Sequence, residues 1–180
     1  MAWLWWVLAL AATGVAVVAA VWIPWFWKSR HRGVFVMRQL LPESVREIKA
    51  WAREHGIPTI VPELHVTLCF SRAAFPVPSL DQGSVVVRGG KRSLHVFGPG
   101  ALVLVFESEE LQQRHAAFRR LGASFDFPVY HPHVSLTYIG ADRFVGIPPF
   151  EGDFVFGPET MRRLDPDEGP EIAARQRKTE

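Results

Sequence analysis

Two tetrapeptides of the same design carry most of the chemistry that this sequence offers. His65-Val66-Thr67-Leu68 and His133-Val134-Ser135-Leu136 each consist of a histidine, an apolar residue, a hydroxyl residue and another apolar residue. Side chains alternate between the two faces of a β-strand, so each histidine shares a face with the hydroxyl residue that follows two positions later. The two copies therefore predict that two imidazoles and two hydroxyls converge on one site.

Such a set suits the cleavage of a phosphodiester bond. An imidazole titrates near pH ~6.5, so at neutral pH one histidine accepts a proton while the other donates one. One of His65 and His133 would deprotonate the attacking hydroxyl, and the other would protonate the leaving oxygen. Thr67 and Ser135 would donate hydrogen bonds to the non-bridging phosphate oxygens. We therefore expect these four residues to be catalytic without a metal or another cofactor; the alternative is two ordinary strands with half-exposed histidines.

Three further residues near these motifs have open alternatives. Tyr130 precedes the second motif and would either stack on a base or pack in the core. His95 follows basic residues and would either meet phosphates at the edge of the cleft or lie in solvent. His131 has metal-ligand spacing to His133, but no group of acidic or cysteine partners surrounds it in the sequence, so we expect no metal there.

Composition excludes several classes of protein. The chain has 180 residues, a single cysteine and a formal net charge of +2. One cysteine rules out an intramolecular disulfide and a multi-cysteine zinc module. The sequence pI is about 9.0, but the small net charge does not by itself indicate a nucleic-acid-binding surface. We expect no DNA partner and no obligate protein partner.

The N-terminal segment predicts a membrane anchor. Residues 1–27 contain no charged residue and six of the seven tryptophans of the chain. The apolar stretch 4–23 has the length of a transmembrane helix, and tryptophans at both ends favour the headgroup boundary. The basic linker 28–32 then places the N-terminus outside and the following domain on the cytoplasmic face. A lipid bilayer is thus an expected partner of this single-pass protein.

The remaining residues predict one domain over 33–164 and a flexible C-terminal tail over 165–180. Helices are expected after Leu41 and after Ser108, where capping and turn residues precede an amphipathic stretch. Gly89-Gly90 favours a hairpin between its neighbouring strands. The order of elements indicates an α+β fold with antiparallel pairing. The predicted strands cover 33–37, 63–71, 84–88, 91–97, 101–106, 133–138 and 153–156.

The paired motifs resemble those of the 2H phosphoesterase superfamily. Within it, longer stretches are similar to the phage anti-CBASS phosphodiesterases: GIPTIVPELHVTLCFSR, GPGALVLVFESEELQQRH, LGASFDFPVYHPHVSLTY and FGPE. The similarity runs from about Gly33 to Glu159, which is nearly the whole predicted domain. It does not cover the N-terminal segment or the tail.

This resemblance implies a bilobal fold in which two antiparallel sheets flank a central cleft. It also implies metal-independent hydrolysis of cyclic di- and trinucleotide second messengers, which blocks host CBASS antiviral signalling. The catalytic histidines of the family fall on His65 and His133. A substrate-binding glutamate falls on Glu159, and a tyrosine position of the family is occupied by Phe35.

Two other functions stay open at this point. One is an RNA 2′,3′-cyclic phosphodiesterase of the same superfamily. The other is a membrane-anchored nucleotide-binding protein that has lost catalysis. Assays on both kinds of substrate separate the two enzymes, and tight binding without turnover would identify the third.

Overall fold

A computed structural model of the chain describes residues 33–98 and 100–164. The predicted transmembrane helix over 1–27, the basic linker over 28–32 and the tail over 165–180 lie outside these ranges. Within them, no helix combines the length and the apolar character needed to cross a membrane.

The described residues form strands and helices close to the predicted positions, and the α+β class is confirmed. In both helices the local sequence explains the start: Pro42 occupies the first turn of the first helix, and the Ser108 hydroxyl accepts a hydrogen bond from the Leu111 N–H (3.4 Å) at the start of the second. The elements are β1 (Val34–Leu40), α1 (Pro42–Glu54), β2 (His65–Ser71), β3 (Val85–Val87), β4 (Arg92–Phe97), β5 (Ala101–Phe106), α2 (Glu109–Arg120), β6 (His133–Thr137), a 3-10 helix (Ala141–Phe144) and β7 (Phe154–Arg163).

The strands build one continuous sheet rather than the two sheets that were predicted. Its seven strands lie in the order β3-β7-β1-β2-β6-β5-β4, and all of the pairings are antiparallel. The two halves of the chain meet where β2 pairs with β6 through Val66 and Val134. The prediction of separate sheets was wrong because the two motif strands, one from each half, pair with each other.

The predicted hairpin around Gly89-Gly90 is also wrong. Both glycines have positive φ (54° and 85°) and turn the chain. However, β3 pairs with β7 and β4 pairs with β5, so the two strands lie at opposite edges of the sheet. The turn therefore connects the two edges instead of closing a ladder.

This short connection requires the sheet to curl. Five peptide steps from Val87 to Arg92 span at most ~18 Å. Seven strands laid flat at ~4.8 Å spacing would separate the outermost strands by ~29 Å. Contacts of Arg92 connect β4 with β7, next to the opposite edge of the curled sheet. Its side chain donates to the carbonyls of Phe150 (2.9 Å) and Gly152, and its guanidinium lies 4.2 Å from the ring centroid of Phe154 on β7.

One face of the sheet carries the core, and both helices pack on it. Residues from both halves of the chain join this single cluster, which stabilises the fold by removing apolar surface from water. The opposite face, which we call the site face, carries the motif histidines. Members of the core include Val36, Ile48, Trp51, Val66, Leu68, Leu104, Phe106, Leu111, Phe118, Val134, Leu136, Phe154 and Phe156.

Candidate active site

The pairing of Val66 with Val134 brings the two tetrapeptides together. Residues that oppose each other in an antiparallel pair point to the same face of the sheet. Both valines are fully buried on the core face, so the residues on either side of each valine project from the site face. The structure thus places the four predicted catalytic residues on one surface, and all four are half-buried: His65, Thr67, His133 and Ser135.

The two imidazoles are oriented in the same way. Nδ1 of His65 donates to the carbonyl of Glu63 (3.2 Å), and Nδ1 of His133 donates to the carbonyl of His131 (2.8 Å). A carbonyl oxygen only accepts, so each Nδ1 carries the hydrogen. The neutral ring then has its lone pair at Nε2. Both histidines therefore offer the same nitrogen for proton transfer.

Each imidazole is also packed against a phenylalanine. The ring centroids of Phe35 and His65 lie 5.9 Å apart at an interplanar angle of 87°, and those of Phe97 and His133 lie 5.1 Å apart at 69°. Such edge-to-face contacts favour one orientation of the ring. Arg162 of β7 lies on the other side of the first pair, with its guanidinium 4.9 Å from the Phe35 centroid. Phe35 is thus part of the site, beside an imidazole.

The electrostatics of the site keep both histidines neutral near pH 7. Burial lowers the pKa of His65, and the charge of Arg162 lowers it further. Burial also lowers the pKa of His133, and the charges of His65 and His131 add to that effect. A ring that is to act as a general acid would therefore have to take up a proton from solvent, which a nearby anion favours by raising the pKa of the ring.

Tyr130 contacts the backbone of the first motif. Its hydroxyl donates to the carbonyl of Thr67 (2.8 Å), and its ring stacks on His115 with centroids 4.0 Å apart. Burial raises the pKa of this hydroxyl, so it stays a donor. Of the two alternatives for Tyr130, the structure therefore favours packing over stacking on a base.

His115 is a part of this arrangement that the sequence analysis missed. Its Nδ1 donates to the carbonyl of Leu68 (2.8 Å), and burial lowers its pKa, which keeps the ring neutral. The signal was present in the sequence. His115 follows Leu111 by four residues and precedes Phe118 by three, so it lies on the buried stripe of α2.

The structure does not bring Glu159 together with the imidazoles. Glu159 opposes Arg38, which in turn opposes Val66, so its side chain lies on the core face. The carboxylate is 0% exposed and is held by two hydrogen bonds from Arg114 (2.7 and 2.6 Å) and one from the Asp81 N–H (3.0 Å). Arg38 completes this group at 3.5 Å. We call these four residues the Glu159 cluster.

His95 lies on the site face near the second motif. It opposes Val103, which opposes Ser135, so the three side chains share one face. His95 is exposed, and its Nε2 lies 2.9 Å from the hydroxyl of Ser93. Among residues 33–98 and 100–164, no three histidine, cysteine or acidic side chains are grouped so that they could hold a metal ion.

Comparison with known proteins identifies the family of this chain. The family model described as anti-CBASS protein Acb1 matches residues 32–171. The chain belongs to the Acb1 family. Relatives carrying that name include proteins from Caulobacter sp. (strain RHG1), 37% identical over 76% of this chain and 23% of the relative, and from Enterobacteria phage T4, 33% identical over 67% of this chain and 82% of the relative. This Acb1-family chain spans about a quarter of the length of the Caulobacter and Sphingomonas relatives it matches.

Solved structures show the same fold. The crystal structure of E. coli LigT complexed with 3′-AMP gives a TM-score of 0.52 at 19% identity, covering 73% of this chain and 87% of LigT. A structure described only as a phosphoesterase gives the same values. The curled antiparallel sheet of this Acb1-family chain is therefore that of the LigT-type phosphoesterases.

These comparisons also correct the predicted localisation. The family match begins at residue 32, after the segment that was expected to cross the membrane. No helix of the described residues is long and apolar enough to do so. The predicted localisation as a single-pass protein with a bilayer partner is therefore corrected to what the family match and the described residues support, which is a domain without a membrane-spanning helix in residues 33–98 and 100–164.

Proposed function

We propose that this chain is a metal-independent phosphodiesterase that hydrolyses cyclic di- and trinucleotide messengers and thereby counteracts CBASS signalling. The observation that carries the proposal is the pair His65 and His133, which project from one face of the sheet and offer the same nitrogen. The anti-CBASS name of the relatives supports the substrate class. The LigT-type fold supports phosphoester chemistry.

The proposed reaction divides its proton transfers between the two imidazoles. Nε2 of one neutral ring takes a proton from the attacking water as the water oxygen bonds to phosphorus, while Nε2–H of the other gives its proton to the leaving ribose oxygen as the bond from that oxygen to phosphorus breaks. The ring that started neutral ends protonated, and the ring that started protonated ends neutral. The two rings together therefore hold the same number of protons before and after the reaction. The negative charge of the bound phosphodiester offsets the lowered pKa of the ring that must start protonated.

The remaining predicted residues take part in different ways. The hydroxyls of Thr67 and Ser135 donate to the non-bridging oxygens, on which charge grows in the transition state. Phe35 and His95 lie on the site face and contact the substrate. Tyr130 acts through the backbone of Thr67, which it holds in place.

The test is an assay of the purified full-length chain with a panel of cyclic di- and trinucleotides in EDTA, with the products read by mass spectrometry. We expect hydrolysis that persists in the chelator. The matched control is the His65→Ala/His133→Ala double variant, which should release product at least ~10²-fold more slowly. Loss of activity in EDTA with rescue by Zn²⁺ or Mn²⁺ would contradict the metal-independent mechanism.

Two other outcomes would redirect the proposal. Turnover of RNA 2′,3′-cyclic phosphate ends without turnover of cyclic oligonucleotides would favour the RNA phosphodiesterase. Tight binding of a cyclic oligonucleotide without any cleavage would favour a nucleotide-binding protein. The equivalent orientation of both imidazoles argues against this last function, because a binding protein has no need of two matched proton-transfer groups.

A further inference from the structure

A cavity of about 590 Å³ opens on the site face beside the second motif, between β4, β5, the start of α2 and the segment before β6. We call it the β4 cavity. Ser93 opposes Val105, and Val105 opposes His133, so the three side chains lie in one row across the sheet. Ser93 and Val105 line the cavity. The cavity therefore begins next to the imidazole of His133, within reach of a group attached to the phosphate that is cleaved.

The lining of the β4 cavity suits a flat ring with a polar edge. Val105, Val129 and Pro132 provide apolar walls, and Ser93 and Gln112 provide hydrogen-bonding groups. The volume lies in the range of small-molecule sites, ~300–1,000 Å³. Such a combination of apolar walls and few polar groups is typical of sites that bind and orient a ring system.

The charges of the lining distinguish a base from a second phosphate. Glu107 and Glu109 line the cavity together with Lys91, so the carboxylates outnumber the ammonium, and the other ionisable lining residues are His95, Tyr130 and His131. Two carboxylates disfavour a second anion. Because an ionised carboxylate only accepts hydrogen bonds, it favours a neutral group that presents N–H donors.

We propose that the β4 cavity binds a nucleobase that carries an exocyclic amino group, on the nucleotide next to the scissile phosphate. This inference rests on the proposed function, and it adds a specificity site to it. Adenine, guanine and cytosine present an amino group to Glu107 and Glu109. Uracil has no amino group, and its one N3–H lies between two carbonyl oxygens, which the carboxylates repel.

The test compares two neighbouring residues of α2 in the full-length chain. Glu109 and Glu110 are both exposed and both lie in the first turn, but Glu110 lines a different cavity, with Arg38 and Arg114. Glu109→Gln removes the charge and keeps an oxygen that accepts from the Gln113 amide, its partner at 2.8 Å. Glu110→Gln makes the same change to the helix terminus without touching the β4 cavity.

We expect Glu109→Gln to raise KM for cyclic di-AMP by ~10-fold with little change in kcat, as for the loss of a hydrogen bond to a charged group. KM for cyclic di-UMP should stay unchanged, so the preference for cyclic di-AMP falls. Glu110→Gln should change neither value. If cyclic di-UMP is cleaved too slowly, its inhibition constant replaces KM.

A second variant, Glu107→Gln, should behave like Glu109→Gln. Because Glu107 lies outside α2, a shared effect cannot come from a change in the charge of the first turn of the helix. The inference is overturned if both variants leave the preference for cyclic di-AMP unchanged, if Glu110→Gln lowers it equally, or if the wild type has no preference. Failure of the proposed function is a separate result, since the wild type would then cleave neither cyclic dinucleotide.

Discussion

Val66 and Val134 are cross-strand partners at the centre of the sheet, and both are fully buried. Because β2 and β6 run antiparallel, one step from this pair sets His65 on the side of Ser135 and Thr67 on the side of His133. Each imidazole therefore has the hydroxyl of the other motif as its counterpart. A local two-fold axis through the valine pair relates the two half-sites, which explains why their imidazoles are oriented alike.

The first prediction concerns the two imidazoles. His65→Ala and His133→Ala should each lower kcat by ~10²–10⁴-fold, as for the loss of a positioned acid or base. The double variant should be little worse than either single variant, since the two rings act as a unit. Circular dichroism and thermal unfolding would check that the fold persists. A single variant with nearly full activity would contradict paired acid–base catalysis.

The pH dependence should reflect the lowered pKa of both rings. In the free protein one ring must be neutral and the other protonated, so kcat/KM should peak between two pKa values that burial places below ~6.5. A bound phosphodiester raises the pKa of the acid, so kcat should peak at a higher pH than kcat/KM. Initial rates measured from pH 4 to 9 would check both profiles. A maximum of kcat/KM above pH 7 would show that burial does not govern these groups.

Removing the Tyr130 hydroxyl should affect both stability and turnover. Tyr130→Phe leaves the Thr67 carbonyl without this donor, which costs ~1–3 kcal/mol of the free energy of unfolding. Turnover should also fall, because the Thr67 hydroxyl is then less well positioned. The chain has one other tyrosine, the exposed Tyr138. Tyr138→Phe is therefore the matched control for urea unfolding and kcat, and equal effects of the two variants would rule out the support role of Tyr130.

Glu159→Gln separates a structural role from a role in substrate binding. The substitution leaves Arg114 and Arg38 without a buried counter-charge, so it should lower the free energy of unfolding by ~3–5 kcal/mol. Asp81→Asn should cost much less, since the Asp81 side chain is 51% exposed. Urea unfolding of both variants gives the comparison. A Glu159→Gln protein of full stability but raised KM would instead support the direct substrate contact that the family resemblance implies.

The motif strands were predictable because their pattern is local. Alternation along His65–Leu68 and along His133–Leu136 assigns each histidine and its hydroxyl to one face, and the structure agrees. The alternation fails one step later. Thr67 opposes Met37 whereas Cys69 opposes Val36, so a bulge turns Cys69 into the core, where burial raises the pKa of its thiol to about 11.

Two features that the sequence analysis did not predict, the partners of the strands around residue 90 and the burial of Glu159, arise from contact between distant segments. The glycine turn near residue 90 predicts a reversal of the chain, but it contains no information on which strand each arm pairs with. Glu159 was expected to bind substrate, and only its partners Arg38 and Arg114, far away in the sequence, explain its burial on the core face. Pairing and burial of this kind are decided by the whole sheet.

The order of the sheet has a consequence for the synthesis of this protein. β7, the last strand of the domain, lies between β3 and β1 in the interior of the sheet rather than at its edge. During translation β1 and β2 can pair early, but β3 and the other side of β1 stay unpaired until residues 154–163 leave the ribosome. The nascent chain thus presents an open strand edge for nearly the whole time that the domain is being made, which exposes it to chaperones and to pairing with other chains.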